Sequence, residues 1–138
     1  MTKEEKSLLL KDLCSRLPYG VICFAPDYEY GDIGKLYCIE PFEDSDPQIT
    51  VQYPKGNTIT KFCSEVKPYL RSMSSMTEEE EIEYDATFAT IKLADGHYDS
   101  TMTYKSFDFL NAHHFDFRNL IECGLSIEVT KENNPYKE

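Results

Sequence analysis

The amino-acid sequence predicts an α+β fold: an N-terminal helix, a small antiparallel sheet or SH3-like barrel, and a helical C-terminal half that ends in a strand. Three observations lead to this prediction. Leucines at helical spacing come first, four short runs rich in β-branched and aromatic residues follow, and helix-capping signals then alternate with breakers. We expect one domain over residues 1–138, with the N-terminal helix in 1–18, a β meander in 19–70 and the helical and strand part in 77–130.

The N-terminal helix is predicted over residues 3–17. Thr2 and Glu5 can form a capping box, in which the hydroxyl and the carboxylate each accept a hydrogen bond from a free backbone amide. Pro18 and Gly20 end the helix. Four leucines and a cysteine recur along one face: Leu9, Leu10, Leu13, Cys14 and Leu17. We expect this face to pack against the sheet, and contact with a partner protein is the alternative.

Four β-strands are predicted next, in runs rich in Val, Ile, Tyr, Phe and Thr: residues 19–25, 35–42, 48–54 and 58–66. Turn-forming residues separate the runs: Gly31 with Gly34, residues 44–47, and residues 55–57. Because the connections are short, we expect an antiparallel meander that either curls into a barrel or stays a half-open sheet.

A helix over residues 77–93 is predicted after a segment, residues 66–76, that we expect to leave the sheet and tuck residues 68–70 against it. Thr77 and Glu80 can form a second capping box, and carboxylates over 78–81 suit the positive end of a helix dipole. Alternating apolar residues over 82–88 fit a strand equally well.

Two short helices and a strand are expected to complete the chain. The helices cover residues 106–113, capped by Ser106, and residues 116–123, capped by Asp116. Residues 125–130 alternate as a last strand, and residues 131–138 are predicted to be a frayed tail.

The acidic composition argues against several function classes. The chain carries 25 Asp and Glu against 14 Lys and Arg, and its net charge is −11. Affinity for nucleic acid and for anionic lipid comes largely from cationic side chains, so we expect neither direct nucleic-acid binding nor membrane docking. The charge leaves one special case open, in which an acidic protein mimics nucleic acid and blocks a DNA- or RNA-binding factor.

Cysteine usage and hydropathy predict a reduced, cytoplasmic protein. Five cysteines occur without a CxxC pair: Cys14, Cys23, Cys38, Cys63 and Cys123. This pattern fits neither a disulfide framework nor a zinc ribbon. The first 13 residues are too charged for a signal peptide, and no apolar run reaches the ~20 residues that span a bilayer.

Residues 104–129 hold the densest group of polar and aromatic side chains in the chain. We expect a partner-binding surface there, formed by polar residues that interrupt an apolar stretch: Asn111, His113, His114, Asp116 and Arg118. Tyr69 and Arg71 are further candidates for the same role. The reason is that exposed aromatic, arginine and histidine side chains are what an interface hot spot needs.

A metal site at residues 112–116, Ala-His-His-Phe-Asp, is the competing interpretation. Two imidazoles and a carboxylate can bind zinc or iron, but adjacent histidines on a helix point about 100° apart and rarely reach one ion. We predict no metal ligand, no cofactor and no catalytic residue, because no phosphate-binding loop or nucleophile motif occurs. Proximity of Cys123 to the histidines in sequence is no evidence for a nucleophile pair.

Three segments carry a family resemblance: KEEKSLLLKDLCSRLPYGV, VKPYLRSMSSMTEEE and DFLNAHHFDFRNLIECGLSIEV. They resemble signatures of a family of small proteins, of unassigned function, from gut Bacteroidales and their phages and mobile elements. Ser72 stands where that family often has proline, Phe109 where it commonly has tryptophan, and Phe117 where it commonly has tyrosine. The resemblance implies a bacterial host cytoplasm and an accessory role, and it brings no catalytic residue.

These observations together predict a non-enzymatic protein-interaction module of a bacterial or phage accessory system, with an unidentified protein as partner. Three alternatives stay open: an acidic mimic that inhibits a nucleic-acid-binding factor, a phage structural protein, and a metal-dependent enzyme at the Ala-His-His-Phe-Asp turn.

Overall fold

The secondary structure confirms the predicted mixed α+β class and the N-terminal helix. The structure is a computed structural model that describes residues 1–40 and 46–137. Three helices occur in these residues: α1 (Lys3–Arg16), α2 (Glu78–Asp85) and α3 (Tyr104–Ala112). The strands are β1 (Ile22–Asp27), β2 (Gly31–Glu40), β3 (Gln48–Gln52), β4 (Thr58–Phe62), β5 (Lys67–Leu70), β6 (Ala89–Lys92), β7 (Tyr98–Thr101) and β8 (Ile127–Glu128).

The main sheet has the strand order β4-β3-β2-β1-β5-β8, so its first four strands form the predicted antiparallel meander. Strand β5 pairs antiparallel with β1, and β8 adds a short parallel edge. In the described part of the chain β4 and β8 are the two edges, so the sheet is half-open rather than a closed barrel. The predicted end of the second strand, residues 41–42, lies outside the described residues.

The core lies between α1 and one face of the sheet. The capping box of α1 is present, and Leu9 and Leu13 are fully buried. Strand β3 shows the expected alternation, with Ile49 and Val51 buried between half-exposed neighbours. One detail of the predicted stripe is wrong: Cys14 is exposed. The buried face of α1 instead includes two charged residues, which the site below explains.

Residues 66–76 do not leave the sheet as predicted. Residues 67–70 form β5, which is inserted between β1 and β8, and Pro68, Tyr69 and Leu70 are all buried. Proline usually marks an edge strand because it has no N–H to donate. In this protein Pro68 lies in an interior strand, and the burial of Pro68, Tyr69 and Leu70 favours that position although Pro68 has no N–H to donate.

The predicted helix over 77–93 is wrong beyond Asp85. Its capping box is present, but the chain then turns and enters β6, which pairs with β7 around a turn at Asp95 and Gly96. Gly96 has a φ of 89°, which glycine adopts without steric cost. The alternating apolar residues over 82–88, which fit a strand in the sequence, do not form one: residues 82–85 are helical and β6 begins only at Ala89.

The C-terminal half contains fewer helical residues than expected. Helix α3 begins at Tyr104, so Ser106 lies inside it, where its hydroxyl accepts a hydrogen bond from the backbone N–H of Thr103 (3.0 Å). Residues 116–124 form turns rather than a second helix. The last strand, β8, falls within the predicted range of residues 125–130. Among the described residues, no helix is long and apolar enough to cross a bilayer.

Candidate functional site

A buried ion pair joins α1 to the segment after α3. Asp12 and Arg16 lie one helical turn apart and are fully buried, with 2.8 Å between Arg16 Nε and Asp12 Oδ2. Arg16 Nη2 donates to the carbonyl of Phe115 (2.6 Å), and Arg118 Nη1 donates to the second oxygen of Asp12 (2.8 Å). Asp12 therefore balances two guanidinium groups, while Arg16 Nη1 is buried without a partner in the described residues.

Asn111 and Asp116, which we expected at a partner-binding surface, are buried beside this ion pair at 6% and 7% exposure. Ser15 Oγ donates to Asn111 Oδ1 (3.3 Å). Asp116 accepts hydrogen bonds from three backbone amides, those of Arg118 (3.3 Å), Leu120 (3.0 Å) and Ile121 (2.9 Å). The predicted capping role of Asp116 is thus found at a turn, and neither side chain is free to bind another molecule.

The side chain of Arg118 is also held by contacts within the protein. Besides Asp12, it donates to Ser15 Oγ (3.2 Å), and its guanidinium lies 4.3 Å from the centroid of the Phe117 ring. We call Asp12, Arg16, Asn111, Asp116 and Arg118 the polar cluster. Its members bond to one another or to nearby backbone and hold α1 against the C-terminal half.

Arg71 and Glu80 form a second, less buried link. The guanidinium donates to both carboxylate oxygens at 2.7 Å and stacks over Phe115, 4.2 Å from the ring centroid. The hydrogen bonds from Arg71 lower the pKa of Glu80 to about 2. His113 Nδ1 lies 3.4 Å from Glu80 Oε2, and the His113 side chain keeps 38% exposure. Tyr69 is buried in β5, so of these candidates His113 is the most accessible.

His114 packs against the C-terminal segment, whereas His113 lies against Phe109 and Glu80. Its ring is parallel to that of Tyr136, with 3.9 Å between the centroids and 8° between the planes. Its backbone is left-handed, with a φ of 63°, and its Nδ1 is buried without a hydrogen-bond partner in the described residues. Burial, reinforced by the charge of Arg16, lowers the pKa of His114 to about 4, so the ring is neutral at pH 7. The C-terminal segment predicted to be frayed is therefore anchored at Tyr136, although residues 131–134 are exposed.

The geometry offers little support for metal or thiol chemistry. Among residues 1–40 and 46–137, no three His, Cys, Asp or Glu side chains are arranged to hold an ion. Burial raises the pKa of Cys23 to about 12 and that of Cys63 to about 11, so both thiols stay protonated and unreactive at neutral pH. Cys123 is exposed.

The sequence interpretation missed a fully exposed pair of strands. Strands β6 and β7 pair only with each other in the described part of the chain, and every residue of both strands is exposed. Their exposed apolar residues include Ile91 and Tyr98, and Leu93 at the turn is exposed too. We call α2, β6 and β7 with their connections, residues 78–101, the hairpin arm. The Asp95-Gly96 turn was the available signal in the sequence.

Within the hairpin arm, helix α2 contacts the rest of the molecule through the side chains of Glu80 and Tyr84. Glu80 faces Arg71, and Tyr84 stacks on Phe109 with 5.7 Å between ring centroids. The remaining positions are exposed, including Ile82 at 71%, and the helix has no basic residue. Five of its carboxylate residues are exposed: Glu78, Glu79, Glu81, Glu83 and Asp85. The arm therefore presents apolar side chains beside a dense negative charge.

Comparison with protein-family models, curated proteins and solved structures finds no match for this chain. The resemblance to the Bacteroidales family therefore stays a prediction, and a functional proposal depends on the residues described above.

Proposed function

We propose that this chain is a non-enzymatic protein-interaction module of a bacterial or phage accessory system, active in the host cytoplasm, and that the hairpin arm is its contact surface. The complete exposure of β6 and β7 supports this proposal. A two-stranded hairpin is marginally stable in water on its own, and exposed apolar residues grouped on one element are typical of an interaction site. Binding would bury Ile91 and Leu93 on one face of the hairpin, while Tyr98, which pairs with Lys92, offers an aromatic contact on the opposite face.

The partner is expected to be a protein with an apolar recess bordered by basic side chains. The exposed carboxylates of α2 lie next to the hairpin in the chain, and no Lys or Arg in α2 offsets them. With a net charge of −11, the chain as a whole repels a second copy of itself. Complementary charge would speed association with a basic surface and add specificity.

The hairpin arm replaces the surface around residues 111–118 as the proposed contact. Asn111 and Asp116 are buried, and Arg118 is held by Asp12 and Ser15. A partner would have to break these internal bonds before it could reach the same groups. By contrast, Tyr98 is 69% exposed and needs no rearrangement.

A second candidate function is inhibition of a nucleic-acid-binding factor by charge mimicry. One observation favours it: five exposed carboxylate residues are concentrated on the eight residues of α2, which include no Lys or Arg. In that case the partner's basic surface would be its DNA- or RNA-binding groove, and nucleic acid would compete with the chain.

The test is affinity capture from a Bacteroidales lysate, the host that the resemblance implies. The baits are the wild type, the double variant Ile91→Asp with Tyr98→Asp, and the control Tyr28→Asp. Tyr28 is a fully exposed turn residue, so its substitution matches the polarity change away from the arm. We expect a basic partner that the wild type and the control capture and the double variant loses by at least tenfold.

A charge-reversed bait, Glu79→Lys with Glu83→Lys, should lose the same partner, and its loss should be largest at low salt. Equal capture by all baits would contradict the proposal. Competition by short duplex DNA or RNA decides between the two functions. Displacement of the partner supports charge mimicry, whereas capture that resists nucleic acid supports a simple interaction module.

A further inference from the structure

The side chain of Tyr136 occupies a position between two strands of the main sheet. Strands β1 and β5 pair through Phe24 with Lys67 and through Cys23 with Pro68, and the same register would next pair Ile22 with Tyr69. At that point the two backbones bond to the Tyr136 hydroxyl instead. The hydroxyl accepts from Ile22 N–H (3.0 Å) and donates to the Tyr69 carbonyl (2.8 Å).

One side of this position is formed by the ring of His114, which lies parallel to the phenol ring at stacking distance. His114 has a left-handed backbone, a conformation that is uncommon in non-glycine residues and that fixes the direction of its side chain here. No hydrogen bond within the described residues holds the ring by its Nδ1, so its contact with Tyr136 is a stacking contact. We call the space bounded by Ile22, Tyr69 and His114 the phenol slot.

The C-terminal segment is attached to the rest of the chain mainly by this one side chain. Residues 130–134 are exposed, and their hydrogen bonds are local, between Thr130 and Asn133. The backbone amide of Tyr136 also bonds locally, to Asn134 Oδ1 (3.0 Å). In the described part of the chain, the bonds from residues 131–137 to the sheet all involve the Tyr136 hydroxyl. An attachment through one residue can exchange with a competing ligand.

A groove continues from the phenol slot across the open face of the sheet. It has a volume of about 360 Å³ and is bordered by Pro135 together with Ile22, Ile33, Lys35 and Pro54. A peptide whose tyrosine filled the slot could place a neighbouring residue in this groove, as Pro135 does beside Tyr136. The mixed apolar and cationic border suits a peptide that carries a carboxylate beside the tyrosine.

We propose that the phenol slot is a recognition site for the tyrosine of a peptide segment, which the chain's own Tyr136 fills until a partner's tyrosine replaces it. The slot requires a hydroxyl, because phenylalanine would leave Ile22 N–H and the Tyr69 carbonyl buried and unpaired. It rejects phosphotyrosine, because the esterified oxygen cannot donate to the Tyr69 carbonyl. The inference does not depend on the hairpin arm, which lies on other elements.

The experiment uses the full-length variant Tyr136→Ala and a synthetic peptide with the sequence of residues 131–138, KENNPYKE. NMR follows the backbone amide of Ile22 and the ring protons of His114 as the peptide is added. We expect the peptide to return both signals toward their wild-type positions, and to bind the variant at least tenfold more tightly than the wild type, whose slot is filled. Peptides with phenylalanine or phosphotyrosine should bind at least tenfold more weakly.

Failure of the peptide to bind a folded Tyr136→Ala variant would overturn the proposal, as would equal binding of the tyrosine and phenylalanine peptides. If Tyr136→Ala does not fold, Tyr136→Phe serves instead. The phenylalanine ring can still stack on His114 but cannot bond to the strands, so the peptide should bind this variant more tightly than the wild type and slow exchange of the Ile22 amide. Unchanged exchange and affinity in Tyr136→Phe would count against the slot.

Discussion

Asp12 is the residue on which the buried charges of this fold depend. It is fully buried and faces Arg16 and Arg118, whose guanidinium groups have no other carboxylate partner in the described residues. Removing one member of a buried ion pair leaves the other charge uncompensated, which costs far more than the pair itself contributes. Arg118, which was predicted to lie on a contact surface, instead pairs with this buried carboxylate inside the protein.

We predict that Asp12→Ala destabilises the protein by about 3–5 kcal/mol, since it leaves buried positive charge without a partner. Urea unfolding followed by circular dichroism measures the difference. Asp85→Ala is the matched control because Asp85 is exposed, and we expect it to change stability by no more than about 0.5 kcal/mol. Similar effects of the two substitutions would contradict the structural role of Asp12.

At the scale of the element, the short helix α2 is stabilised by a cap at its N-terminus and by side-chain contacts with Arg71 and Phe109. Its hydrogen-bonded cap is reciprocal, with Thr77 Oγ1 accepting from Glu80 N–H and Glu80 Oε1 accepting from Thr77 N–H. The same carboxylate reaches back to Arg71, and Tyr84 stacks on Phe109 one turn later. Glu80 therefore both starts the helix and attaches the hairpin arm to the body.

Replacement of Glu80 by alanine should loosen α2 by about 1.5–3 kcal/mol, the typical contribution of hydrogen bonds to a charged group. Hydrogen exchange measures this locally, and amides of α2 should exchange at least about tenfold faster. Glu79→Ala is the control because Glu79 lies on the exposed side of the same turn. Since the pKa of Glu80 is lowered to about 2, the link is complete above pH 4.5 and weakens as the pH falls toward 2. Equal acceleration by both variants would show that negative charge at the N-terminus of the helix, not the Arg71 contact, controls α2.

At the scale of the whole molecule, His114 connects three distant parts of the chain. It packs against Tyr136 near the C-terminus, and the charges of Arg16 on α1, His113 after α3 and Arg71 after β5 all disfavour its protonation. Burial is the largest cause of its low pKa, about 4 in the folded protein. An unfolded chain exposes the same ring with a pKa of about 6.5.

We therefore predict that the free energy of unfolding falls as the pH is lowered from about 6.5 toward 4, because the unfolded state binds a proton that the folded state refuses. Chemical denaturation at several pH values measures it. His114→Phe keeps an aromatic ring against Tyr136 and should flatten this part of the profile. His97→Gln, at an exposed position, should leave the profile unchanged. If the free energy of unfolding of His114→Phe depends on pH as steeply as that of the wild type, His114 is not the cause of the dependence.

Local signals in the sequence determined much of the fold. The capping boxes at Thr2 and Thr77, the leucine spacing of α1 and the short β-runs of the meander each depend on residues a few positions apart, and all are present in the structure. Such signals act before tertiary contacts form, which is why one sequence suffices to detect them. Where two local patterns overlapped, after Thr77, the helix was predicted too long.

Only the tertiary structure decided which polar residues are accessible. Asn111 is buried because Ser15 approaches it from 96 positions away, and Arg16 bonds to the carbonyl of Phe115 across 99 positions. Tyr136 ends between β1 and β5 for the same reason, since the partners of its hydroxyl lie 114 and 67 positions earlier. Burial is a property of segments that meet in space, so the composition of residues 104–129 identified an unusual stretch without showing which way it faces.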